Sequence, residues 1–132
     1  TGYVLSGLHD AVRGAFATAC KRIEEAVDGR VKFVEVGDPL SADFFVGSTS
    51  VDPRILGFWS DTDSALVVNT NSNTGGLGLQ AVLTHELLHA LGLEHSGDPH
   101  SLMWWENHGA VGMQVITEED VKRLIKVLDG KI

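Results

Sequence analysis

A chain of 132 residues, 43% hydrophobic and 21% charged, has the size and balance of one globular domain that buries a core without staples. The formal net charge of −8, with no basic patch or basic helix face, excludes nucleic acid as an expected partner, and no run approaches the roughly 18 apolar residues of a membrane span. The single cysteine, Cys20, rules out an internal disulfide. No targeting segment is visible at Thr1, so the chain reads as a mature fragment or as a protein that never carried a leader.

In chain order, residues 8–28 read as a long helix, because Leu8, Val12, Ala15, Phe16, Ala19, Ile23 and Val27 recur at three- and four-residue spacing. Ser6 is its expected N-cap and Asp28-Gly29 its stop, and Cys20 is expected inside it as a small buried hydrophobe. Residues 31–36 alternate apolar and polar and read as a strand, broken by Gly37-Asp38-Pro39. Further strands are expected at 42–47, 55–60 and 65–69. Between the last two lies the turn Asp61-Thr62-Asp63-Ser64, in which both aspartates are expected to serve as Asx-turn residues. Residues 69–78, rich in Asn, Ser, Thr and Gly, read as a loop into a helix from about 77 to 91. Residues 96–115 have no periodicity. A last helix is expected over 116–128, opened by Thr117 with Asp120 at the capping-box position. One helix, four strands, then two helices make an α+β layout with a small twisted sheet.

Residues 85–95 read His-Glu-Leu-Leu-His-Ala-Leu-Gly-Leu-Glu-His, which is H-E-x-x-H-x-x-G-x-x-H. His85 and His89, four apart on a helix, lie one above the other on one face, and two ring nitrogens there can hold one zinc ion at about 2.0–2.1 Å. Gly92 tolerates the left-handed conformation that ends a helix, so the chain can turn and bring His95 to the same ion. Three protein ligands leave a fourth position for water, the mark of a catalytic site. Glu86, beside the first ligand, suits a general base acting on zinc-bound water. An ordinary amphipathic helix explains Leu83, Leu87, Leu88 and Leu91 but not Glu86, Gly92 and His95 together. A chance match to five fixed positions is roughly one in 10^4 to 10^5.

At these residues the chain resembles the metzincin metallopeptidases. The continuation Ser-Gly-Asp-Pro-His-Ser-Leu-Met-Trp-Trp over 96–105 is most similar to the matrixin branch, with Met103 where that family carries a methionine turn. Trp105 stands where matrixins usually have proline, which alters the pocket wall expected there. The resemblance implies a metzincin-like zincin fold with a mixed sheet, a long N-terminal helix, an active-site helix and a C-terminal helix. It implies one catalytic domain over 1–132, with an upper subdomain to His95 and a lower one from 96 that holds the Met-turn. It also implies an upper-rim strand, here the segment with Gly57 and Phe58, that binds extended peptide, and a specificity pocket faced by Ala81 and walled in part by Trp105. Matrixins often pair a free N-terminal ammonium with an aspartate of the last helix. Asp120 occupies a comparable place, but the helix cap is the preferred role for it. No histidine lies between Asp10 and Thr84, so a structural zinc of the matrixin type is not expected, nor is calcium. His100 and His108 are expected as exposed loop residues.

The resulting expectation is a zinc-dependent endopeptidase, monomeric and extracellular (a cytoplasmic location stays open), acting on protein or peptide substrates. One catalytic zinc is held by His85, His89 and His95, and water is activated by Glu86. The alternatives are a zinc amidase acting on cell-wall peptides and a non-catalytic binding domain that retains zinc.

Overall fold

The computed structural model describes residues 1–5, 10–52, 57–69, 75–103 and 115–130. Its elements run β1 (Gly2–Leu5), α1 (Asp10–Ala26), β2 (Val34–Glu35), a 3-10 turn (Pro39–Ser41), β3 (Phe44–Thr49), β4 (Gly57–Ser60), β5 (Ala65–Asn69), α2 (Gly75–Ala90) and α3 (Glu118–Asp129). The α+β class holds, with a five-stranded mixed sheet in the order β2-β1-β3-β5-β4. Neighbours are parallel except β4, which lies antiparallel to β5 at the sheet edge.

Register sorts the side chains by face. Val46 pairs with Leu66 and Leu66 with Trp59, so these three point the same way, because successive strand residues alternate faces. That face meets the helices. Phe16 and Ile23 of α1, Phe44, Val46, Leu66 and Val68 of the sheet, and Leu83, Leu87 and Leu88 of α2 form one buried cluster. Each such side chain contributes roughly 1.5–3 kcal/mol by leaving water. Cys20 is buried among them, and burial pushes its thiol up to about 12. The opposite face leaves Val34, Phe45 and Phe58 exposed.

Several boundaries differ from expectation. Strand β1 was not expected: four residues carry too little alternation to read, and its support is long-range, from β2 and β3 on either side. The strand expected over 31–36 shrinks to two residues, because the Phe33 amide donates to Glu24 Oε1 at 3.2 Å and only Val34 and Val36 donate to Thr1 and Tyr3 carbonyls. The strand expected from 42 starts at Phe44. The Ala42 amide instead closes the 3-10 turn on Pro39, and that turn is capped by Asp38. Helix α2 begins at Gly75, inside the segment expected as loop. Of the strand expected over 55–60, residues 55 and 56 lie outside the described residues, as do Ser6 and Leu8 of the first helix. Its stop is as expected, with Asp28 and Gly29 at φ 53° and 76°. Thr117 and Asp120 form the expected capping box at α3. Among the described residues, no helix is long and apolar enough to cross a membrane.

Candidate metal centre and its cleft

Helix α2 presents His85 and His89 on one face and ends in a Schellman turn: Gly92 N–H donates to His89 O and Leu93 N–H to Leu88 O, both at 2.9 Å. Gly92 stands at φ 104°, a conformation that favours glycine. The reversed chain returns His95, and the Nε2 atoms of His85 and His95 each lie 3.1 Å from Nε2 of His89. The three rings form a group able to hold one metal ion.

The tautomers follow from the other ring nitrogen. His85 Nδ1 lies 2.6 Å from the Leu102 carbonyl and His89 Nδ1 2.9 Å from the Leu93 carbonyl. A carbonyl only accepts, so each Nδ1 carries the proton and each Nε2 is left with a bare lone pair. Two lone pairs facing each other at 3.1 Å repel and cannot hydrogen-bond. One tetrahedral cation at about 2.05 Å from each nitrogen would need them about 3.3 Å apart, close to the observed spacing. Burial drives His85 down to about 4, against the opposing pull of the Leu102 carbonyl. Burial likewise lowers His89, the Leu93 carbonyl and, more weakly, the Asp61 charge opposing it. Both rings are therefore neutral at pH 7, the form that binds metal.

Glu86 is only 9% exposed. Burial raises its carboxyl to about 7, offset in part by a hydrogen bond from the Trp59 main chain. Oε1 lies 3.9 Å from His85 Nε2. Facing these groups is β4. Gly57, Phe58, Trp59 and Asp61 complete an open cleft of about 300 Å³ with the three histidines and Glu86. Gly57 is fixed by close approach, since a Cβ there would sit 2.9 Å from the Val67 carbonyl and 3.3 Å from Val82. Phe58 is 44% exposed, whereas Trp59 packs edge-on against Phe44 at 6.1 Å between ring centres.

The remaining expected site residues divide. Ala81 is buried and is not among the residues walling this cleft. Trp105 and His108 lie outside the described residues, and His100 is exposed. Met103 is fully buried. Its amide donates to Ser101 Oγ at 2.9 Å and its carbonyl accepts from Ser96 N at 2.7 Å. The Ser101 hydroxyl in turn donates to Asp120 Oδ2 at 2.5 Å. Asp120 also accepts from Arg123 and from the Thr117 amide, and Thr1 N donates to Lys32 O instead. Burial alone would raise Asp120, but these hydrogen bonds outweigh it and hold the carboxyl below its ordinary value. Sequence reasoning missed Ser101 and the place of Asp61. Asp63 does brace its turn through Ser60, but Asp61 accepts from the Trp59 indole at 2.6 Å and lines the cleft. The one available signal was its position just past the strand expected at the rim.

The matrixin family model matches residues 58–128, from β4 through most of α3. The chain belongs to the matrixin family. No curated protein matches it. Matrixins are zinc metallopeptidases, and the donor set here suits that metal: three imidazoles, two of them tautomerically fixed, with their free nitrogens converging. The matched span includes His85, Glu86, His89, His95 and Asp61, so the cleft belongs to the matrixin core apart from Gly57.

Proposed function

We propose that this matrixin is a zinc-dependent endopeptidase in which His85, His89 and His95 hold one zinc ion and Glu86 is the catalytic base. The observation that carries this reading is the convergence of three Nε2 atoms beside a buried carboxyl in a cleft walled by an edge strand. Zinc held there supplies a Lewis acid for the scissile carbonyl and lowers the pKa of a water to about 7. Glu86, with its own carboxyl near 7, takes a proton from the attacking water and delivers one to the leaving amine. Main-chain groups on the open edge of β4, around Gly57 and Phe58, bind the substrate as an added strand. Strand pairing needs no chain terminus, which supports cleavage within a peptide. We assign Met103 to the Met-turn, supported by its burial and by the neighbouring Leu102 carbonyl that orients His85. A monomer acting on extracellular protein or peptide belongs to the same reading. No feature of the cleft favours a cell-wall amidase, and the intact Glu86 speaks against a purely binding domain.

Glu86→Ala tests the assignment. The variant is expected to bind one equivalent of zinc as the parent does and to cleave a quenched peptide at least about 10²-fold more slowly. Cleavage at an undiminished rate rules out Glu86 as the base.

A further inference from the structure

Apart from Glu86, Asp61 is the only acidic side chain among the described residues that lines the cleft. Asp63 braces its turn, Asp38 caps the 3-10 turn, and Glu35 and Asp129 each pair with an arginine. Asp61 has one hydrogen bond among the described residues, from the Trp59 indole N–H to Oδ1, and its charge also reaches His89. That bond holds the carboxylate at the wall of the cleft that also contains His85, Glu86, His89 and His95. It leaves Oδ2 without a partner among the described residues, and no lysine or arginine of those residues neutralises the charge. The indole is itself anchored against Phe44, so the carboxylate sits on a rigid support rather than on a free turn. Asp61 is exposed, and an anion fixed in position at the wall of a cleft attracts a cation more strongly than a mobile surface charge does.

We propose that Asp61 forms a specificity subsite for a lysine or arginine side chain of the bound peptide. This deepens the peptidase reading and rests on it. Trp59, two residues earlier, contributes the main-chain bond to Glu86, and two residues of extended chain span about 7 Å. The recognised cationic side chain therefore belongs to a residue within two or three positions of the scissile bond. Recognition is by charge at a single free oxygen, so lysine and arginine both serve.

The test uses zinc-loaded protein and a set of alanine-rich octapeptides, acetylated and amidated, with lysine, arginine or uncharged norleucine at each position in turn. The parent is expected to favour lysine and arginine over norleucine in kcat/KM at one position. Asp61→Asn is expected to reduce that preference about fivefold, the upper range for a partly exposed ion pair, and salt near 1 M to erode it in the parent. Calorimetric binding of the same peptides to zinc-loaded Glu86→Ala gives a readout independent of turnover. If the parent cleaves none of the peptides yet binds lysine more tightly than norleucine, and Asp61→Asn abolishes the difference, the subsite stands and the peptidase reading falls. Equal kcat/KM and equal binding for lysine and norleucine overturn the subsite. So does an Asp61→Asn variant with an unaltered lysine-to-norleucine ratio.

Discussion

At Gly92 one residue carries two duties. Its left-handed φ of 104° ends α2, and the turn it forms places the Leu93 carbonyl where it receives the His89 Nδ1 proton. A Cβ in that conformation costs about 1–2 kcal/mol, so Gly92→Ala is expected to lower unfolding stability by that amount in urea titration. If the turn relaxes to avoid the strain, His89 loses its orienting carbonyl, and zinc affinity should fall by about tenfold or more in chelator competition. A variant with parental stability and parental affinity would show that the turn is not a constraint on the site. This residue, the three histidines and Glu86 were legible in the sequence because helix periodicity and one glycine fix their geometry within eleven positions. Asp61 was not legible. It reaches the cleft through an indole bond at the end of an edge strand, and its neighbour His89 lies far along the chain, so no local pattern distinguishes it from Asp63.

Helix α3 contributes no atom to the cleft, yet it restrains the segment behind it. Asp120 holds Ser101, Ser101 holds the Met103 amide, and between them the Leu102 carbonyl orients His85. Ser101→Ala removes a buried hydroxyl and leaves the Met103 amide and one Asp120 interaction unsatisfied, at about 1–3 kcal/mol each. Expected is a loss of roughly 2–6 kcal/mol together with weaker zinc binding, and a loss of stability without any change in zinc affinity would confine the contact to folding. The sign of the pH dependence follows from Asp120. Its folded pKa lies below the ordinary carboxylate value, so its contribution is present above about pH 4 and is lost as pH falls through the folded value. The stability gap between parent and Asp120→Asn should therefore hold down to about pH 5 and narrow as pH falls below about 4. The capping box made α3 legible from Thr117 and Asp120 alone. The link to Ser101 was not, because it joins residues nineteen apart across a segment without periodicity. Strand β1 escaped for the same reason, its partners lying in β2 and β3.

At the scale of the whole molecule, the metal site draws on α2, on the segment after Gly92 and, through Leu102, on the region tied to α3. The main core, from Phe16 and Ile23 to Leu66, Leu83 and Leu87, is assembled without any of the three histidines. These two facts separate folding from metal binding. Removing zinc should leave the chain folded, with its helical circular dichroism intact, because the buried cluster does not depend on the ion. It should also lower the melting temperature, because the lone pairs of His85 and His89 then face each other without a cation and the segments joined by the three rings lose a cross-link. A ligand that binds only the folded state adds about 4 kcal/mol at a thousandfold excess over its Kd, which for a domain of this size is on the order of 10 °C. The expected result is a melting temperature that climbs with the logarithm of free zinc and drops on chelation, with peptide cleavage lost over the same range and restored by readdition. Unfolding on chelation would mean that the core cannot hold the fold alone. A melting temperature indifferent to zinc would mean that the three nitrogens do not bind it.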